Sequence, residues 1–312
     1  MIPLYEFHPM LCRMKAYSAL SSFSENVYSQ FGEDGIIREV LDRLRSRVEL
    51  DSWCVEFGAW DGIFLSNTCR LIREDGFSAV LIEGDKRKAQ VLERNFPQKE
   101  VHKVCQFIHF EGPDSLDATL SRTPVPSDFD FLSIDVDGVD YHIFESMVSF
   151  RPKVICIEFN PTVPNAVDFV QARDFAVKQG SSARAIVRLA KEKSYSLVAA
   201  TQCNLIFVRD DLVNFVTNEE QKIESLNPSG NDGTYIFVGY DGSVLSNKES
   251  LALVWHGLTI PLERLQVLPR ALRRFPSDYA GLRRAGFEIF RAVLEGPKRT
   301  LLRILRRMGL AK

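Results

Sequence analysis

Between residues 53 and 210 short apolar runs alternate with amphipathic stretches, and that alternation narrows the fold of this 312-residue chain more than any other feature. "WCVEFGA" (53–59), "SAVLIEGD" (78–85), "VCQFIHF" (104–110), "FDFLSIDV" (129–136) and "KVICIEF" (153–159) read as buried strands. Between them "SNTCRLIREDG" (66–76), "KRKAQVLERNF" (86–96), "SLDATLSR" (115–122) and "YHIFESMVS" (141–149) read as helices. One helix precedes the series, "SQFGEDGIIREVLDRLRS" (29–46), with Ile36, Ile37, Val40, Leu41 and Leu44 on one face. Another, "SSARAIVRLAKEKS" (181–194), leads into two adjacent strands, "YSLVAAT" and "CNLIFVRD". Near-continuous apolar strands alternating with helices predict an α/β fold: a mostly parallel sheet covered on both faces, its last two strands antiparallel.

Asp241-Gly242 between two alternating runs predicts an appended hairpin over 234–246. The expected organisation is an arm over 1–27, a domain over 28–262 and a basic amphipathic tail over 263–312. The tail carries thirteen Lys/Arg against four Asp/Glu, although the whole chain is only −2. The six cysteines have no CxxC spacing and read as reduced thiols, those at 54, 105 and 156 inside apolar runs. The first twenty residues lack a signal-peptide pattern and no run is apolar enough to span a bilayer, so the expected location is cytoplasmic.

In sheets of this kind ligands bind beyond the carboxyl ends of the strands, where strand order reverses. The first strand ends in "VEFGAWDG": Gly58 and Gly62 suit a tight turn with close backbone approach. Glu83, ending the second strand, is placed to accept both hydroxyls of a ribose. A dinucleotide fingerprint would put glycine where Trp60 stands, and Asp61 would repel a pyrophosphate. A cofactor with a ribose and a positive centre fits better. S-adenosylmethionine (SAM) has both, and Glu56 and Asp61 could lie near its ammonium. This favours a methyltransferase over a dehydrogenase.

Together these pieces resemble the FkbM-type family of class I SAM-dependent methyltransferases. The resemblance runs through "YSQFGEDGII" (28–37), "EFGAWDGIFLSNT" (56–68), "LIEGD" (81–85), "FDFLSIDVDGVDYHIFESM" (129–147), "PKVICIEFNPTVP" (152–164) and 180–212, with "VGYDGSVLS" and "WHG" (255–257) beyond. It implies a Rossmann-like seven-stranded sheet with a reversed final hairpin. It also implies a glycine loop at 56–62 that cradles SAM, Glu83 on the ribose, and methylation of a hydroxyl on a sugar, glycan or natural-product-like metabolite. Trp60 departs from the glycine usual at its place.

Asp135 and Asp137 from one strand, and Glu158 and Asn160 from the next, reach the same sheet end, so their oxygens could hold Mg²⁺. Alternatively, Asp135 faces the sulfonium and Asp137 takes the acceptor's proton. A third reading is structural, with Asp137 or Asp140 capping the helix that begins near 140. His142 is a further candidate base, or a packing histidine. Tyr28 and Gln30 belong either to a helix start or to a lid over the cofactor, and 161–180 is the expected acceptor loop. Asn160-Pro161 resembles the Asn-Pro-Pro-aromatic motif of amino methyltransferases only weakly, since Thr162 and Val163 follow it. For the tail, packing on the domain or a second subunit stands beside contact with an anionic membrane. Nucleic acid is disfavoured, because no aromatics interleave the cations. A non-catalytic methyltransferase-fold protein acting through a partner or membrane is the alternative function.

Overall fold

The computed structural model describes residues 20–218, 221–308 and 310; residues 1–19 of the expected arm, with Cys12, lie outside them. Two compact units divide at Gly233/Thr234.

In the first unit, β1 (Trp53–Phe57), β2 (Ser78–Glu83), β3 (Val101–Cys105), β4 (Phe131–Ile134), β5 (Val154–Glu158), β6 (Tyr195–Ala200) and β7 (Asn204–Arg209) form one sheet in the order β3-β2-β1-β4-β5-β7-β6. β1 to β5 pair in parallel, and β7 runs antiparallel to both neighbours. This is the expected seven-stranded sheet with its reversed hairpin, the class I methyltransferase fold. Strand order reverses at β1, which pairs with β2 on one side and β4 on the other. In sheets of this kind ligands bind at that point, beyond the carboxyl ends.

The helices are α1 (Glu33–Arg45), α2 (Cys69–Arg73), α3 (Lys86–Asn95), α4 (Leu116–Leu120), α5 (Asp140–Ser146), α6 (Ala183–Glu192) and the short α7 (Ile223–Leu226). Side chains alternate across each strand, so one sheet makes two cores. Val55, Ile134, Ile157 and Phe207 pack with Leu116, Phe144 and Ile186; Cys54, Leu81, Phe131 and Ile206 pack with Ile36, Leu41 and Leu92. Burial on both faces is why these strands read as unbroken apolar runs. Each fully buried Phe or Leu contributes about 1.5–3 kcal/mol before entropy is counted.

Three boundaries depart from expectation. β3 lies at 101–105 instead of 104–110: it is an edge strand, and after Cys105 the chain leaves the sheet with Phe107 exposed. Cys105 is accordingly exposed, unlike Cys54 and Cys156. The first helix starts at Glu33, because residues 27–29 are gathered around the Asp34 carboxylate. The second starts at Cys69, because 66–68 are bound to Glu56.

The second unit, 234–312, begins before the boundary expected at 262, since the hairpins group with the tail. β8 (Ile236–Val238) pairs with β9 (Val244–Ser246) across the Asp241-Gly242 turn, Gly242 having φ 79°. β10 (Ser250–Leu253) pairs with β11 (Leu258–Pro261), a second hairpin the sequence reading missed. The helical segment α8 (Gly281–Arg307) is broken at Gly296, where φ is 73° and ψ 165°. In the amphipathic tail, where Leu301, Leu302, Ile304, Leu305 and Met308 are expected to cluster on one side, the Leu301 and Ile304 side chains lie outside the described ones. Among the described residues no helix is long and apolar enough to cross a membrane.

Candidate functional site

After Phe57 the chain turns through Gly58 (φ 87°), Trp60 (φ 50°) and Gly62 (φ 74°). A Cβ on Gly58 would stand 1.8 Å from the carbonyl oxygen of Asp135, and one on Gly62 would run into Phe96 and Leu92 of the α3 side at 2.5 and 2.6 Å. Both glycines are thus fixed by close approach as well as by positive φ. The Gly58 and Ala59 amides donate to Ile82 O, tying the turn to β2. Trp60, the departure from glycine, sends its half-exposed ring out of the turn, edge-on to Phe64 at 5.9 Å and beneath Lys88 Nζ at 4.3 Å.

The three acids expected near a cofactor each hold backbone or hydroxyl groups. Glu56, buried, accepts from Ser66 Oγ (2.6 Å), Thr68 Oγ1 (2.8 Å) and Asn67 N (2.8 Å). Burial pushes its pKa up, against those hydrogen bonds. Glu83, also buried, accepts from Trp60 N (3.0 Å) and Asp85 N (2.7 Å), joining the loops after β1 and β2. Asp61 accepts from the Ile63 and Phe64 amides in a local turn. Asp85 caps α3 through the Arg87 and Lys88 amides.

At the ends of β4 and β5, Asp135, Asp137 and Glu158 each bring a carboxylate oxygen within 4.8 Å of the others. Burial, then Asp140 and Asp137, raises the Asp135 pKa to about 8. Burial, then the Asp135, Asp140 and Asp137 carboxyls, pushes Glu158 well up. The charges that act most on both are other carboxyls. Asp137 is exposed and holds φ 56°, a strained value for a side-chain-bearing residue. Lys178 Nζ donates to Val136 O, between Asp135 and Asp137 in the chain, at 3.2 Å.

The remaining candidates have other engagements. Asp140 does not cap α5: as its first residue it reaches back to the Val136 (2.8 Å) and Gly138 (2.9 Å) amides, bracing the loop that carries Asp137. Burial raises its pKa to about 6. Asn160 spends its oxygen on Thr162 N and Oγ1 and its amide on Gln179 O, so it serves its own loop and is not turned to the carboxylates. His142 is buried, with Nε2 2.9 Å from Gln171 O and Nδ1 3.3 Å from Glu145. Both ring nitrogens face protein partners, and Phe110 and Tyr141 pack edge-on to the ring.

Sequence reasoning missed the residues that fix the surrounding loops. Asp34 Oδ2 accepts from three successive amides, Val27, Tyr28 and Ser29, at 2.7–2.9 Å. Glu33, fully buried, accepts from Phe31 N, Thr201 Oγ1 (2.5 Å) and Asn204 Nδ2 (3.1 Å). Gln171, buried, binds the Gln179 and Gly180 amides through Oε1 and Val177 O through Nε2, folding the 171–180 loop against Gly138. The available signal was polarity inside otherwise apolar contexts, which reads as surface until partners are seen.

The chain is similar to several solved structures. A SAM-dependent methyltransferase from Aquifex aeolicus is 10% identical, with 62% of this chain and 97% of that one covered, TM-score 0.34. LepI in complex with SAM is 14% identical, with 61% and 50% covered, TM-score 0.38. An O-methyltransferase family protein from Burkholderia thailandensis is 11% identical, with 57% of each covered, TM-score 0.35. The chain thus spans about half the length of the last two. No family model and no curated protein matches it.

Proposed function

We propose that this protein is an FkbM-type SAM-dependent O-methyltransferase acting on a hydroxyl of a sugar, glycan or natural-product-like metabolite. The observation that carries the reading is the cluster of Asp135, Asp137 and Glu158 at the strand-order reversal, beside a glycine turn that admits no side chain at 58. Carboxyls crowded in a buried place raise one another's pKa and draw in a positive charge. SAM, when bound, supplies a methyl group on a sulfonium. Glu83, with lone pairs left after its two amide bonds, suits the ribose hydroxyls. Asp135 faces the positive centre.

Asp137, the most open of the three, takes the acceptor hydroxyl's proton on a carboxylate oxygen. Asp140 holds its loop still while this happens. His142 orients the 171–180 segment through Gln171 O and has no part in the proton's path. Because methyl transfer needs an in-line approach, fixed geometry supplies much of the rate. The oxygen set of Asp135, Asp137 and Glu158 also fits one hard divalent cation such as Mg²⁺, which would bind the acceptor oxygen and lower its pKa. Trp60 is the feature that favours a non-catalytic protein. Its ring stands outside the turn, which supports the catalytic reading.

The test is isothermal titration of the full chain with SAM and, as control, NADH. Saturable SAM binding, lost in Glu83→Ala and absent for NADH, is the expected result. Absence of SAM binding with and without Mg²⁺ would overturn the assignment.

A further inference from the structure

We propose that the C-terminal unit seats this protein on an anionic lipid surface. The unit carries fourteen Lys/Arg against six Asp/Glu, a net charge of +8 within a chain of −2, so residues 1–233 are at −10. In α8, Leu282, Ile289 and Val293 follow one another at seven and four residues and so share one face. They are 92%, 67% and 77% exposed, so nothing among the described residues covers them. The helix's two acids before the break, Glu288 and Glu295, fall on the opposite side, where Arg291 and Arg303 pair with them. Arg283, Arg284, Arg299 and Arg306 are exposed.

An aliphatic stripe with Arg283 at its flank and the acids turned away, in a unit of net charge +8, suits a helix lying in the headgroup region. The same unit exposes Tyr240, Trp255 and Phe275, rings that settle where one end is apolar and the other wet. Charge complementarity selects the occupant. A symmetric partner would bring +8 against +8, and phosphates of a nucleic acid offer nothing to Leu, Ile and Val. Anionic lipid answers both the cations and the stripe. This inference stands apart from the chemistry at Asp135 and survives if that reading fails.

Sedimentation of the full chain with phosphatidylglycerol-rich or pure phosphatidylcholine vesicles tests it, beside the mass of the lipid-free protein in solution. Binding is expected to the anionic vesicles, falling steeply with salt. It should weaken about fivefold for each cation removed near the surface, as in Arg283→Gln. The triple variant Leu282→Ser, Ile289→Ser, Val293→Ser should lower it at least about tenfold with the melting temperature unchanged, since these side chains are exposed. No sedimentation, equal binding to both vesicle types, or unaltered binding by the triple variant overturns the inference. So does a dimer that the triple variant dissolves, or tighter binding to duplex DNA than to vesicles.

Discussion

Gly58 and Asp135 meet backbone to backbone: the place of a Cβ on Gly58 is 1.8 Å from the Asp135 carbonyl oxygen. The turn after β1 and the end of β4 are thereby one object, and the Asp135 carboxyl is set by a residue with no side chain. Gly58→Ala should therefore do two things. It adds about 1–2 kcal/mol for the positive φ alone, and the clash displaces Asp135. We expect a lower melting temperature and loss of SAM binding, whereas Gly76→Ala, at similar φ with nothing near, lowers stability and leaves binding intact.

Asp135 gives a pH signature. An acid whose folded pKa is raised holds its proton in the folded state over a range where the unfolded chain has lost it. Its contribution is full below the ordinary aspartate value and falls away as pH climbs toward about 8. Asp135→Asn should thus leave the ligand-free protein little changed at pH 4 and stabilise it by about 1 kcal/mol or more at pH 8. Thermal melts across that window check it. A variant less stable than wild type at pH 8 would remove the case for a crowded, unpaired site.

Asp137 and Asp140 separate chemistry from scaffolding. Asp137→Asn keeps a residue that tolerates positive φ and should reduce turnover about 10²–10⁴-fold at unchanged or slightly higher melting temperature. Asp140→Ala frees the Val136 and Gly138 amides and should lower both. If Asp137→Asn turns over normally, the proton leaves by another route.

His142→Gln should change turnover less than about tenfold and leave the pH–rate profile where it was, since a general base would contribute more than that. Loss of the acidic limb of that profile, where a base becomes protonated, would return His142 to the list of bases.

Asp34→Ala removes the acceptor of three amides and should cost about 2 kcal/mol or more. Proteolysis at 26–32 in the variant, and not in wild type, would show that the loop has been released.

Most of the sheet was legible because burial on both faces writes itself as apolar runs, whatever the neighbours. β3 was misplaced for the complementary reason: an edge strand such as "VHKVC" needs fewer apolar residues, and the apolar "FIHF" after it serves loop packing. The carboxylates 135, 137 and 158 were legible as strand-end residues two apart or on adjacent strands. Asn160 and Asp140 were misread because an amide or a carboxyl near a turn has local amides to satisfy first. The partners of Asp34, Glu33 and Gln171 could not be read, since Asp34 and Gln171 act on backbone, which carries no mark of it in the sequence, and Glu33 on two side chains more than 165 residues away.

The Glu33 carboxylate ties the segment before α1 to Thr201 and Asn204 at the reversed hairpin. A chain leaving the ribosome presents Glu33 long before it presents those partners, more than 165 residues later. Until β7 has emerged, Glu33 has neither of these side-chain partners. The final hairpin therefore acts as a completion check, and a truncated or stalled product lacks a closure that the finished protein has.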